Sequence, residues 1–105
     1  MKIIYNKWFP FGQYKAINLF GVLFSKYQLN SFDINHERIH TFQQKELLYI
    51  FFYIWYAIEW LVRLIQYKNT TKAYYNISFE QEAYANEKDL AYLYHRKRYS
   101  FLKYL

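Results

Sequence analysis

Residues 34–40 read Ile34-Asn35-His36-Glu37-Arg38-Ile39-His40. Two histidines four apart, with a glutamate directly after the first, decide how the rest of the chain is read. On an α-helix, positions i and i+4 project side by side, so His36 and His40 present two imidazole nitrogens to one point. Zinc at about 2.0–2.1 Å from nitrogen suits that geometry and leaves room for a third protein ligand and a water. Glu37, about 100° round the helix, is placed to take a proton from such a water without occupying the metal. The competing reading is an ordinary amphipathic helix with two histidines at the edge of a core.

The surroundings of this stretch are helical in pattern. Ser31 or Asp33 is the expected cap. At 100° per residue His36, His40, Gln43 and Leu47 share one stripe, with Ile39 and Phe42 beside it, while Arg38, Thr41 and Lys45 lie opposite. The histidines therefore face inward. Helical pattern continues to about Gln66, with a break expected near Leu48–Phe52, because a compact domain rarely holds about 35 residues of straight helix. The run LLYIFFYIWYAIEWLVRLI (47–65) has the length of a membrane span, which needs about 20 residues. Glu59 and Arg63 interrupt it, four apart on one helix face where they can pair. Either charge at bilayer depth costs roughly 2.5–3.5 kcal/mol. A buried aromatic core helix is expected, with peripheral membrane contact left open.

Two histidines make a poor zinc site without a third ligand. His95 is the only other histidine, and the last helical region offers Glu80, Glu82 and Glu87. Ser78-Phe79-Glu80-Gln81 has the form of a capping box, which predicts a last helix from Phe79 to about Arg98. On that helix Glu80 shares its stripe with Ala83, Tyr84, Glu87 and Leu90, the apolar side. Glu82 shares its stripe with Asn86, Asp89, Leu93 and Arg96, which is mostly a solvent face. A carboxylate on a buried face needs a partner. Glu80 is the favoured ligand and Glu82 the alternative.

The two segments HERIH (36–40) and FEQEAYANE (79–87) together resemble the gluzincin metallopeptidases, whose second helix carries Glu-x-x-Ala/Ser-Asp with the glutamate on zinc. Glu80-Gln81-Glu82-Ala83-Tyr84 fits that pattern, except that Tyr84 stands where an aspartate usually supports a zinc-bound histidine. Glu87 or Asn86 can take that place, and an offset alignment of residues 82–86 keeps Glu82 as the alternative ligand. The small size is similar to that of the minigluzincins, single-domain forms with a β-ribbon and a few helices. The resemblance covers about residues 31–90. It implies zinc held by His36, His40 and Glu80, with Glu37 as general base and acid in hydrolysis of a peptide or protein substrate. Gluzincins normally have a second subdomain opposite the zinc, and these residues leave nothing to build one, so weak, latent or partner-dependent activity is expected.

Composition sets the remaining bounds. The 105 residues are 54% hydrophobic and 26% aromatic, with two glycines and one proline. Such a chain can build a core of bulky rings in one domain, 1–105, and is not a disordered segment. Cysteine is absent, so any metal must be held by histidine and carboxylate. The net charge of +6 is scattered and accompanies no nucleic-acid-binding signature, so it reads as solubilising surface charge rather than a nucleic-acid footprint. MKIIYNKWFPFG carries no signal-peptide pattern, so a cytoplasmic location is expected.

Residues 2–9 and 13–26 read as two extended runs about a turn at Pro10-Phe11-Gly12-Gln13. They predict a ribbon whose free edge can pair with an extended peptide. Lys68–Lys72 reads as a polar loop. The apolar tail Tyr99–Leu105 either finishes the core or folds over the metal site. The expected fold is α+β: an N-terminal β-ribbon packed on an active-site helix, a buried aromatic helix and a C-terminal glutamate helix. The alternative to a peptidase is a basic, aromatic-rich interaction or membrane-associated module with a structural or vestigial metal site.

Overall fold

A computed structural model of the chain describes residues 2–8 and 16–105. The fold is α+β. Strands β1 (Lys2–Tyr5), β2 (Ala16–Leu19) and β3 (Val22–Ser25) precede helices α1 (Ser31–Glu46), α2 (Ile50–Tyr67), α3 (Thr70–Tyr75), α4 (Ser78–Asn86) and α5 (Tyr92–His95), and a 3-10 helix closes the chain at Ser100–Tyr104. The turn expected at residues 10–13 lies outside the described residues.

The sheet has the order β1-β3-β2. The hairpin is made by β2 and β3, antiparallel with Leu19 opposite Val22, so residues 16–25 double back instead of forming one run. Phe20 and Gly21 have φ of 53° and 85°, the two positive values that a two-residue primed hairpin turn requires. β1 joins the far side of β3 in parallel, with Lys2 opposite Val22. The first run therefore pairs with the second half of the second run, in parallel rather than as the expected two-run hairpin. Helices hold the turn in place: the Phe20 amide donates to the Tyr53 hydroxyl at 2.9 Å, and the Gly21 amide donates to Gln44 Oε1 at 3.1 Å.

Helix α1 starts one residue before the expected caps. Asn30 is the N-cap, its side chain accepting from the Asp33 amide at 2.8 Å. The expected break falls where Leu48 and Tyr49 take φ of 54° and 63°. This left-handed excursion cannot continue a helix, and the chain turns by 111° into α2.

On α2 only Phe52 and Glu59 are buried. Tyr53, Trp55, Tyr56 and Trp60 lean on a core of Phe52, Ile77, Phe79 and Phe101, with the Phe79 ring 4.5 Å from Phe52 and 4.7 Å from Phe101. The opposite side, including Phe51, Ile54, Ile58 and Leu61, is exposed. The expectation of a buried helix thus holds for one face, because α4 and the tail cover only that side. No described helix is long and apolar enough to cross a membrane by itself. The tail finishes the core rather than folding back over His36 and His40, since it delivers Phe101 against Trp55 and Phe79.

The pair expected between Glu59 and Arg63 does not form. Arg63 donates to Gln66, and Glu59 reaches across to α4. Its carboxylate accepts from the Ser78 hydroxyl at 2.7 Å, from the Ser78 amide and from Trp55 Nε1 at 3.1 Å. Helix α4 begins at Ser78, and its N-cap, Ile77, makes no side-chain cap bond. Glu59 caps it from another helix instead, placing negative charge where helix amides need an acceptor. The helix stops at Asn86 rather than near Arg98. Asn35 of α1 donates to the carbonyls of Asn86, Glu87 and Asp89 at 3.3, 2.8 and 3.0 Å, satisfying acceptors that a longer helix would have used. The expected loop at 68–72 becomes α3, capped by Asn69.

Replacing Glu59 by Ala strands the Ser78 and Trp55 donors in the interior. Urea unfolding is expected to show a loss of about 2–4 kcal/mol, the scale of buried bonds to a charged group.

Candidate metal centre

The inward stripe of α1 meets the inward stripe of α4, and this brings together His36, His40 and Glu80. All three are buried. His40 Nε2 lies 3.1 Å from His36 Nε2 and 2.9 Å from Glu80 Oε1, and His36 Nε2 lies 3.2 Å from the same oxygen. Three donor atoms thus form a nearly equilateral triangle. A tetrahedral ion with bonds of about 2.0–2.1 Å spaces its ligand atoms roughly 3.3 Å apart. The triangle is close to that size.

The hydrogen bonds behind the triangle decide what faces into it. Gln43 Nε2 donates to the Phe79 carbonyl and to Glu82 Oε1, both at 3.0 Å. Its amide is therefore oriented with Oε1 toward His40 Nδ1, at 2.8 Å. An acceptor there makes Nδ1 the protonated nitrogen of His40 and leaves Nε2 for the triangle. His36 is set the same way, with Nδ1 3.1 Å from Glu87 Oε1. Glu80 is fixed by Tyr56 of α2, whose hydroxyl donates to Oε2 at 2.7 Å, leaving Oε1 to the histidines. Three acceptors converge on one point, an arrangement that repels itself unless a cation or a proton sits among them.

In the metal-free protein a proton has that role. Burial depresses the His40 pKa, but the Glu80 carboxylate outweighs it through charge and hydrogen bonding, and the value rises to about 9. The Glu80 carboxyl is held far below its usual range: burial opposes this, and the His40 and His36 contacts overcome it. Glu37 is displaced the other way, raised by burial against the smaller pull of the two histidines.

Glu37 borders an open cleft of about 1090 Å³ that also exposes His36, Tyr56, Tyr84 and Glu87. No described residue bonds to the Glu37 carboxylate. Its backbone carbonyl is held by the Asn18 side chain at 2.9 Å, which ties the β2 edge of the sheet to α1. The His36 ring packs against Tyr84 with centroids 4.5 Å apart. Glu87 thus supports His36 from the position expected of it, while Tyr84 contributes a ring contact rather than a hydrogen bond to the histidine.

Glu82 is not on a solvent face. It has no exposed surface and is gripped by Arg96, Tyr92 and Gln43. The Arg96 guanidinium forks a second time onto Glu46 at 3.0 and 2.9 Å, so it locks the end of α1 to α4 and the segment after α5. Both carboxylate oxygens of Glu82 are engaged, and it is not a member of the triangle. His95 also stands apart, exposed beside Asp89. Gln43 was visible on the histidine stripe. Tyr56 carries no such signal, being one of 14 tyrosines. No family model, no curated protein and no solved structure matches the chain.

Two outcomes follow for stability. The His40 contribution is fully present below pH 6.5 and fades as pH rises through about 9, whereas that of Glu80 is present above 4.5 and fades as pH falls. Metal-free protein is therefore expected to unfold at its highest temperature between about pH 4.5 and 6.5, read by thermal melts in chelator. Arg96→Ala leaves Glu82 buried without its cation and is expected to lower the unfolding free energy by about 3–5 kcal/mol in denaturant titrations.

Proposed function

We propose that this chain is a zinc-dependent peptide hydrolase of the gluzincin kind, with His36, His40 and Glu80 as metal ligands and Glu37 as general base and acid. The observation that supports it best is the convergence of three acceptor atoms, each oriented by its own partner, beside a glutamate that opens on a cleft. Histidine and carboxylate donors of this number suit zinc with a position left for water or substrate. When bound, zinc polarises a carbonyl and lowers the pKa of water.

The remaining tasks belong to the chain. Glu37 accepts the proton of the attacking water and returns it to the leaving amine. In the metal-free protein burial raises the Glu37 pKa above the ordinary carboxylate value, which makes it a stronger base. Gln43 and Glu87 hold the imidazoles by their outer nitrogens. Tyr56, Trp60, Tyr74 and Tyr84 give the cleft aromatic walls, a surface for the side chains of an extended peptide. Ala16 and Ile17 of β2 reach the same cleft, so the sheet edge can align that peptide by strand addition.

Purified protein is expected to hold one zinc per chain by metal analysis. His36→Ala, His40→Ala or Glu80→Ala each lose it, and Glu82→Gln retains the stoichiometry. Full zinc content in the double histidine variant would rule the site out. Zinc affinity should climb with pH up to about 9, because the metal displaces the His40 proton. Glu37→Gln should keep the metal and lower peptide hydrolysis by about 10²-fold or more, the scale of general-base catalysis. Equal turnover in both forms would remove Glu37 from the chemistry, and turnover in neither would leave a structural metal site.

A further inference from the structure

The largest feature that the proposed chemistry leaves unused is the outer face of α2. Phe51, Ile54, Ile58, Leu61, Val62 and Ile65 are each between 47% and 77% exposed. At 100° per residue they fall within an arc of about 100°, a continuous apolar stripe. The two charged residues of the helix lie on its other side: Glu59 is tied to Ser78 and Arg63 to Gln66. A continuous stripe of six exposed large apolar side chains is more than water-exposed domains ordinarily present.

Charge identifies the occupant. Of the eight acidic residues, Glu46 is clamped by Arg96, Glu59, Glu80 and Glu82 are buried, Asp33, Glu37 and Glu87 line the cleft, and Asp89 is exposed beside His95. Most of the described cations are turned outward, whereas Arg96 is committed to Glu46 and Glu82. Arg38, Lys45, Lys68, Lys72, Lys97 and Arg98 are exposed, so the solvent-facing surface is more basic than the net charge of +6 suggests. Lys45 stands just before the bend into α2, and Lys68 directly follows its last turn. An uncharged apolar stripe with lysines at both ends fits a surface that is apolar inside and negative at its rim.

We propose that α2 lies in the headgroup region of an anionic lipid bilayer, its axis in the membrane plane and its stripe among the upper acyl chains. The helix does not insert across the bilayer, because its inner face is core and Glu59 is bonded to α4. A second copy of the chain would instead press two basic surfaces together. The inference rests on the outer face of α2 and the surface charge, and not on the metal reading.

The test is co-sedimentation of the full chain with vesicles of phosphatidylcholine, with and without phosphatidylserine. The chain is expected to partition to the phosphatidylserine vesicles, and to release as salt rises. Ile54→Glu with Ile58→Glu, both at exposed positions, should lower the partition at least tenfold while circular dichroism and melting stay unchanged. Lys45→Glu with Lys68→Glu leaves the stripe intact and should remove the preference for phosphatidylserine. Protein remaining in the supernatant, or pelleting equally as the double glutamate variant, overturns the proposal. So does a concentration-dependent dimer that Ile58→Glu dissolves, which would assign the stripe to a second copy.

Discussion

A carboxylate taken out of water must be met by donors or cations, and a lone one is driven to take up a proton. In this chain that constraint sets how the helices sit. Glu59 joins α2 to the start of α4 through Ser78. Glu80 joins α4 to both histidines of α1 and to Tyr56 of α2. Glu82 joins α4 to Gln43 of α1 and to Arg96. Glu46 closes the circuit between α1 and the C-terminal segment. The apolar core built on Phe79 gives bulk and driving force, but it does not distinguish one helical register from the next. Each of these carboxylates does, because a slip along α4 would leave a buried charge without its partners.

The same circuit orients the candidate metal site. Arg96 fixes Glu82, Glu82 and the Phe79 carbonyl fix the Gln43 amide, and Gln43 fixes the tautomer of His40. Every member of that chain is engaged on both sides, so the imidazole has little freedom to turn its outer nitrogen inward. A site prepared in this way carries a cost before any ion arrives, since its acceptors face one another. The His40 proton relieves part of it. On the proposed reading, metal and proton compete for one place, and folding, protonation and metal content become a single linked equilibrium.

Helix α2 faces two ways. Its inner side holds Glu80 through Tyr56, caps α4 through Glu59 and lines the cleft with Trp60. Its outer side is an apolar stripe. A surface resting on that stripe would bear on the element that positions Glu80, without touching the candidate site itself. The small size of the domain explains why one helix has both tasks: α4 and the tail cover only one side of α2, and the short sheet braces α1 and the start of α2 through the Phe20-Gly21 turn.

How far the sequence could be read depended on the range of the interactions involved. The pairing of His36 with His40, the inward placement of Glu80 and the break after α1 were legible, because each follows from helical period and length. Glu82 was misplaced because a helical wheel ranks a face by its own neighbours, and Arg96 arrives from fourteen positions further along after two turns that the wheel does not foresee. Glu59 was assigned to Arg63 by i,i+4 spacing, worth only about 0.2–0.5 kcal/mol, whereas a buried helix N-terminus with a serine hydroxyl offers a carboxylate considerably more. The strand order eluded the sequence for the same reason: pairing β1 to β3 in parallel is a non-local choice that hairpin chemistry cannot express. An apolar stripe likewise announces that water is to be excluded, and says nothing of what excludes it. On the inner side of α2 the answer is Phe79 and Phe101, residues separated from it by up to half the chain, and on the outer side no described residue supplies it.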